Sequence, residues 1–380
     1  MGPTKPAHKE KIASPLPYVF ETADKRQQSK VQHEQQTLWL LVLFALASRQ
    51  TNISAIAQWV DNHAQWLLDE LGLLTRQGNK KLPSQATLYR FFWALDEQAE
   101  MLEQRLRAWT LQVLGGFKRA RAVSLDGKVL RGSRRARRGE TALSLLSAYL
   151  QELGLTLHQE VLTSRESSQA KKLLRHFKAL GAFVVTGDAA YADASLARAV
   201  IRAGGNYLLA LKSNQPELLE LAQWSFSLAG CDMDSSFSTS QVRSGELWQW
   251  RMETRIITPE LALDFPGARQ FVRMQREVFS KATGEVRCEV DYAITSLSDK
   301  AETLYGYWRG HEIENSSHHK RDTVFGEDAC RTRKAAHALA ALRNLLLGLF
   351  HLRGQRQVLA QTRRFNAQPH LLLEFFGWRS

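Results

Sequence analysis

Apolar residues recur at helical spacing through the first third of the chain. Between residues 34 and 115 this spacing is clear, with Leu38, Leu41 and Ala45 on one helix face. The run LWLLVLFALA is far shorter than the about 20 residues that span a bilayer, so it predicts a buried helix. Ser84 precedes the segment QATLYRFFWALDEQ and is a residue type that caps helices. The sequence therefore predicts an all-helical N-terminal region.

Two of these helices flank the polar loop RQGNKKLPS, and the second helix carries Thr87 and Arg90. Such a pair is compatible with a helix-turn-helix motif that reads DNA. It is equally compatible with a helical bundle whose polar face is solvated. The sequence leaves both interpretations open.

The pattern changes to strands at about residue 121. AVSLDGKVL, LSLLSAYL and LTLHQEVLTS have the alternation and composition of strands. A helix (ESSQAKKLLRHFKALG), a buried strand (AFVVTGD), a second helix (SLARAVIRAGG) and another strand (NYLLALK) follow. This order predicts an α/β domain with a mixed sheet. Three later strands, in WQWRMETRII, RQFVRMQREVF and VRCEVDYAITS, predict a β-rich insertion before the chain becomes helical again.

We therefore expect five segments along the chain. Residues 1–30 are expected to be a flexible arm, and 31–118 a helical domain with a DNA-binding role. Residues 119–214 form the first part of the α/β core, and 215–297 the β-rich insertion. Residues 298–380 complete the core with helices and a tail.

The charge of the chain points to a polyanionic partner. Its 380 residues carry a formal net charge of +13, which favours DNA or RNA; a basic protein without such a partner is the alternative. The three cysteines show no close spacing, so neither a disulfide framework nor a zinc knuckle is indicated. The N-terminus lacks the apolar core of a signal peptide, so a cytoplasmic protein is expected.

Three carboxylates stand out against this basic background. Asp126 lies in VSLDGKVLRGS and Asp188 in AFVVTGDAAY, each interpreted as the end of a strand, where ligands collect in α/β sheets. Glu314 lies on a predicted helix that could pack beside them, with Glu312 as a nearby competitor. Together they could bind Mg²⁺. The ordinary roles are turn or cap residues for the aspartates and a solvated helix face for the glutamate.

Basic and polar groups near these carboxylates are candidate DNA contacts. Residues of the first motif and its following loop are Lys128, Arg131, Arg134, Arg135, Arg137 and Arg138. Further candidates are Lys212, Asn214, Arg309 and Arg321. Such a loop would hold phosphates and make binding salt-dependent, although it could also be a solubilising surface loop.

Histidines and tryptophans suggest weaker hypotheses. His311, His318 and His319 cluster near Glu314, where a zinc site is conceivable but lacks a matching ligand pair. Trp248 and Trp250 share one strand face in the insertion. They could stack on a flipped base, or form a packed strand face.

Four motifs occur in an order that resembles a known family. DGKVLRGS, VVTGDA, NYLLALKSNQPEL and WRGHEIENSSHHKRDTVFGEDACRTR are similar to segments of the DDE transposases of bacterial insertion sequences, of the H-repeat-associated type. PSQATLYRFFWALD resembles the helical domain associated with them. The similarity runs from about residue 20 to 350. One departure is His311, which stands where the family usually has a tryptophan three residues before its glutamate.

The resemblance implies an RNase H-like catalytic core with a β-rich insertion, preceded by an all-α domain. It implies Asp126, Asp188 and Glu314 as catalytic residues that bind two Mg²⁺ or Mn²⁺ ions. The implied reaction is hydrolysis of a phosphodiester at the element end, followed by attack of the 3′-hydroxyl on target DNA.

The same resemblance implies the partners of the chain. We expect DNA and a homo-oligomer assembled on it, with no membrane and no small-molecule substrate, in the bacterial cytoplasm at the nucleoid. The alternatives are a domesticated DNA-binding protein that no longer cleaves, and a general RNase H-like nuclease.

Overall fold

The computed structural model describes residues 12–115, 121–134, 139, 141–227, 233–257, 265–355 and 357–378. The helices are α1 (Leu16–Phe20), α2 (Gln35–Ala47), α3 (Ile53–Asn62), α4 (Gln85–Asp96), α5 (Ala99–Leu114), α6 (Glu166–Leu173), α7 (Ala194–Arg202), α8 (Pro216–Ser227), α9 (Ala301–Phe325), α10 (Ala336–Leu352), α11 (Val358–Ala367) and α12 (Leu371–Phe376). The strands are β1 (Arg121–Leu130), β2 (Leu143–Leu150), β3 (Leu155–Val161), β4 (Phe183–Gly187), β5 (Asn206–Leu211), β6 (Ser235–Arg243), β7 (Glu246–Ile256), β8 (Gln270–Ser280) and β9 (Val286–Thr295).

All nine strands belong to one sheet in the order β3-β2-β1-β4-β5-β9-β8-β7-β6. β1, β2 and β3 are antiparallel neighbours, whereas β1, β4 and β5 run parallel. This 3-2-1-4-5 order, with helices between the parallel strands, is the RNase H-like arrangement. The predicted α/β class with a mixed sheet is therefore confirmed.

The β-rich insertion extends the same sheet. β9 pairs antiparallel with β5, and β8, β7 and β6 follow outward as antiparallel neighbours. Helix α8, which the strand pattern did not predict, lies within this segment and packs on β8 and β9. The insertion is thus joined to the core by backbone hydrogen bonds through β5.

The N-terminal helices share a hydrophobic core with the C-terminal helices. Every residue from Leu38 to Ala47 is buried, because α2 lies between its neighbours and α10–α12. This confirms the buried helix expected from LWLLVLFALA. Leu16 and Val19 on α1 are buried in the same core, although residues 1–30 were expected to form a flexible arm. The N-terminal and C-terminal helices pack in one core, so a division by position along the chain does not follow the packing. The division into five segments stays a prediction.

The segment between α3 and α4 differs from a compact helix-turn-helix. A π-helical turn, Trp66–Glu70, and an irregular stretch up to Ser84 separate the two helices. The Ser84 side chain accepts the Thr87 N–H as the expected N-cap. Because a helix-turn-helix uses a turn of only about 3–4 residues, the bundle interpretation fits better. Across the described part of the chain, no helix combines the length and apolar character that a membrane crossing needs.

Candidate active site

Asp126 and Asp188 lie next to each other where the parallel pairing of β1 with β4 ends. The parallel pairing of β1 with β4 matches Ser124 with Thr186 and ends at Leu125 and Gly187. The next residues are Asp126, within β1, and Asp188, directly after β4. Asp126 is partly exposed and Asp188 is exposed. The two carboxylates therefore lie at one edge of the β1–β4 pair.

The structure corrects the interpretation of Asp126 as a strand end. β1 continues to Leu130 because β2 pairs with it antiparallel beyond the point where β4 stops, and Asp126 is opposite Ser147. Asp188 does end its strand. Its carboxylate accepts the Ala190 N–H at 2.9 Å and caps the 3-10 turn Ala189–Tyr191.

A polar network lies two residues before the aspartates, at Ser124 of β1 and Thr186 of β4. The Gln151 amide donates to the Ser124 hydroxyl at 2.8 Å and to the Thr186 hydroxyl at 2.9 Å. The two hydroxyls are 3.1 Å apart, and His311 Nδ1 lies 3.3 Å from that of Thr186. A Cβ on Gly310 would collide with the Gln151 amide. These contacts fix α9 against β1 and β4 beside the aspartates.

Glu314 lies on α9, one turn beyond His311, but its side chain falls outside the described residues. The same holds for the side chains of Glu312 and His318. His319 is exposed, and its carbonyl accepts the Thr323 hydroxyl within the helix. The structure thus brings α9 to the aspartates, and the identity of the third carboxylate stays a proposal.

Sequence reasoning missed one carboxylate near this edge. Glu166, in the first turn of α6, lies against the backbone of Gly127, the residue after Asp126. The Tyr191 side chain is buried and lies close against Gly187. The signal that could have found Glu166 is the glycine, since a small residue beside a candidate ligand often marks a close approach.

Lys128 is sealed into a buried ion cluster. Its ammonium lies 2.9 Å from Asp322 and 3.0 Å from Glu327. Arg321 and Arg343 approach the same glutamate at 3.7 and 3.6 Å. Burial alone would raise the pKa of Glu327, but the charges of Arg321, Arg343 and Lys128 outweigh it and hold the pKa at about 2.

Two of the expected DNA contacts are therefore corrected. Lys128 is buried with both acids around it, and Arg321 is buried with one guanidinium nitrogen 2.5 Å from the Asn344 amide oxygen. Removing either charge would leave Glu327 short of partners inside the protein. Structural pairing explains both residues, and we do not keep them among the proposed DNA contacts.

Three other basic candidates are open to solvent. Arg131 has 82% of its side chain exposed and lies 3.9 Å from Asp328. Arg134 and Lys212 are exposed as well. Arg135, Arg137 and Arg138 fall outside the described residues.

Asn214 and Arg309 have defined structural contacts. The Asn214 amide donates to the Ala189 carbonyl at 2.5 Å, which connects the turn after β5 with the turn after Asp188. The Arg309 guanidinium lies over the Trp250 ring, 4.8 Å from its centroid. Trp250 is buried, as expected for a packed strand face, and Trp248 is half-buried, with its indole N–H donated to Glu246 at 3.1 Å.

A second cluster of ligand-type side chains lies between β3 and the 3-10 turn Leu174–His176. His158, Glu160 and His176 offer atoms within 4.8 Å of one another, a donor set that would suit a metal ion. Arg107 and Arg175, however, each direct a guanidinium nitrogen at the His176 ring, at 2.5 and 3.0 Å. Arg175 also pairs with Glu160 at 2.6 Å. The two guanidinium cations already contact His176 and Glu160, so the cluster fits an ion-pair network better than a metal site.

A family model matches the N-terminal region of the chain, and relatives are similar to it over most of its length. A family model described as DDE_Tnp_1-associated matches residues 18–110. "Putative transposase YncI" of Escherichia coli O157:H7 is 25% identical over 359 residues, which cover 89% of this chain and 87% of that protein. "H repeat-associated putative transposase YhhI" of Escherichia coli K12 is 24% identical and covers 60% and 63% of the two chains.

The chain is also similar in fold to a solved structure. A piggyBac transposase synaptic complex with hairpin DNA, determined by cryo-EM, superposes with a TM-score of 0.47 at 10% identity. The match covers 97% of this chain and 82% of that chain.

Proposed function

Since the family-model match and the relatives support a bacterial DDE-type transposase family, we propose that this chain cuts and joins DNA at the ends of a mobile element. The proposed reactions are hydrolysis of a phosphodiester at the element end and strand transfer of the resulting 3′-hydroxyl. The observation that carries the proposal is the juxtaposition of Asp126 and Asp188 on adjacent parallel strands, with α9 fixed beside them.

We propose Glu314 as the third acidic residue. His311 contacts Thr186 of β4, and Asp322 contacts Lys128 of β1. These two residues therefore mark the face of α9 that lies against the sheet. Positions 314, 318 and 322 follow His311 at about one, two and three turns, whereas position 312 is rotated from His311 by about 100°. This spacing favours Glu314 over Glu312.

The proposed donor set fits hard divalent cations. Carboxylate oxygens are the ligands that Mg²⁺ takes, usually together with retained water and phosphate oxygens. We propose that Asp126, Asp188 and Glu314 hold two Mg²⁺ or Mn²⁺ ions. When bound, such ions polarise the scissile phosphate and favour deprotonation of an attacking water. Strand pairing places Asp126 and Asp188 side by side, and the network of Gln151, Thr186 and His311 holds α9 next to them.

The proposed partner is DNA, bound as a duplex at the element end and then at the target. Arg131, Arg134 and Lys212 are exposed and could contact phosphates, with Arg135, Arg137 and Arg138 as further candidates from sequence. The net charge of +13 supports association with DNA. Pairing two ends would require at least two protomers, so we propose assembly on DNA.

The test is Mg²⁺-dependent cleavage of a labelled duplex that carries the terminal sequence of the encoding element. Asp188→Asn keeps an oxygen that can accept the Ala190 N–H and removes the charge, so it separates ligation from capping. We expect Asp126→Asn and Asp188→Asn to lose cleavage, with Glu217→Gln, an exposed acid at the start of α8, as the unaffected control.

Two outcomes would replace the proposal. DNA binding without cleavage by the wild type would favour a domesticated DNA-binding protein. Cleavage of any duplex without end specificity or a joined product would favour a general nuclease.

A further inference from the structure

Two segments that are distant in the chain meet at the end of β1. A Cβ on Gly132 would lie 2.4 Å from the Cys330 carbonyl oxygen and 2.6 Å from that of Asp328, so a larger residue would not fit there. Leu130, two residues earlier, packs in a small buried cluster with Ala336 of α10. The turn after β1 is therefore fixed against the segment between α9 and α10.

Hydrogen bonds hold both segments in place. The Ser133 hydroxyl donates to the Leu130 carbonyl at 2.7 Å and accepts the Leu143 N–H at 2.8 Å, which closes the turn onto β2. The Arg333 guanidinium donates to the Thr141 carbonyl at 2.5 Å. The side chains on these two segments are thus attached to a backbone that is fixed by tertiary contacts.

The exposed side chains of the two segments are basic. The segment RTRK before α10 has Arg331 and Lys334 exposed. Arg131 has 82% of its side chain exposed, and Arg134 is exposed as well. Asp328 lies 3.9 Å from Arg131 and offsets one of these charges. We call the four residues Arg131, Arg134, Arg331 and Lys334 the β1–α10 basic surface. Several cations on a fixed backbone suit an array of phosphates.

Lys334 is held at the surface next to α4. Its ammonium lies over the Trp93 ring, 5.1 Å from the centroid, and Trp93 itself is 42% exposed. Ala335, the next residue, is buried and has a φ of 87°, a conformation that residues with a side chain rarely adopt. Such a conformation persists only where the surrounding packing imposes it, and it is common at ligand clamps. The position of Lys334 is therefore fixed on both sides.

We propose that the β1–α10 basic surface binds the phosphate backbone of duplex DNA. The inference rests on the proposed function, since it assigns a contact region for the same DNA. Arg131 lies five residues beyond Asp126 along β1, which is about 17 Å at the rise of an extended strand. DNA rises about 3.4 Å per base pair, so the surface reaches phosphates about five base pairs from the bond that is cut.

The experiment measures binding of the full-length chain to a fluorescein-labelled duplex that carries the element end, by anisotropy over a salt series without divalent ions. We expect the double substitution Arg331→Gln and Lys334→Gln to reduce the slope of log K against log salt concentration by about 2, since each phosphate contact releases about one counterion. Its loss of affinity should be roughly 10-fold larger at about 50 mM than at about 200 mM salt.

The double substitution Arg198→Gln and Arg202→Gln is the matched control. Both residues are exposed on α7, which packs in a different hydrophobic core from α10, and the substitution removes the same two charges. We expect the control to keep the wild-type slope. Thermal unfolding should give the wild-type melting temperature for both double variants, because all four side chains are exposed.

The outcomes separate this inference from the proposed function. A wild-type slope for the Arg331 and Lys334 variant, or equal changes in the two double variants, would show that the surface is not a DNA site. A larger change for duplex RNA of the same sequence would assign the surface to RNA instead. In these cases cleavage by the wild type and its loss in Asp188→Asn would still support the proposed function. A wild-type chain that binds no duplex DNA would contradict both.

Discussion

Asp126 and Lys128 are two residues apart on the same face of β1, yet their surroundings are opposite. Asp126 is partly exposed at the open edge beyond β4, beside Asp188. Lys128 is buried under the end of α9 with Asp322 and Glu327. One strand thus carries a partly exposed charge that we propose as a metal ligand and a buried charge that pairs with two acids. The presence of a charged residue in a motif does not show whether its side chain is exposed at the site or buried in the fold.

The largest expected effect comes from a substitution in the buried ion cluster around Lys128. Glu327→Gln removes the carboxylate shared by Lys128, Arg321 and Arg343 and leaves three cations together. We expect the free energy of unfolding to fall by about 3–5 kcal/mol, as when one member of a buried ion pair is lost. Urea unfolding measures it, with Glu302→Gln, an exposed acid in the first turn of α9, as control. A loss no larger than that of the control would show that the cluster does not hold α9.

The same carboxylate makes this contribution dependent on pH. The pKa of Glu327 is about 2 in the folded protein against an ordinary value of 4.5, so the contribution is present above about pH 4.5. It is lost as the pH falls towards 2, because the folded state must then protonate a paired carboxylate. We expect the stability difference between wild type and Glu327→Gln to shrink over that window in urea titrations. A constant difference from pH 6 to pH 3 would contradict this assignment.

An intermediate effect is expected at the polar network that holds α9 against β4. Thr186→Val keeps the shape of the side chain but removes the hydroxyl that meets Gln151, Ser124 and His311. Leaving buried partners unsatisfied costs about 1–3 kcal/mol. DNA cleavage should fall more than stability explains, because α9 carries Glu314 next to this contact. Thr323→Val is the control, because Thr323 is exposed and its hydroxyl donates to the His319 carbonyl of the same helix. Wild-type cleavage in Thr186→Val would separate the network from the site.

The sequence predicted the parts of this arrangement that depend on local pattern. Alternation predicts β1 and a short apolar run predicts β4, and the motifs of these two strands contain Asp126 and Asp188. It could not predict that β2 extends β1 past Asp126, because that pairing joins distant segments. Nor could it separate Lys128 from Arg131, since burial of a charge depends on acids about 200 residues away in the chain. Glu166 was missed for the same reason, as its contact with Gly127 is tertiary.

The smallest expected effect on stability, and the sharpest test of the contrast, comes from the two basic residues of one motif. Arg131→Ala removes an exposed guanidinium that lies 3.9 Å from Asp328, so the free energy of unfolding should change by less than about 0.5 kcal/mol. If Arg131 contacts a phosphate, the slope of log K against log salt concentration for duplex DNA should fall by about 1. Lys128→Met should do the reverse, lowering stability and leaving that slope unchanged, because its ammonium is held by Asp322 and Glu327. Fluorescence anisotropy over a salt series measures both slopes at a temperature where each variant is folded. A salt slope that changes for Lys128→Met but not for Arg131→Ala would reverse the assignment, and would mean that the ion cluster opens to bind DNA.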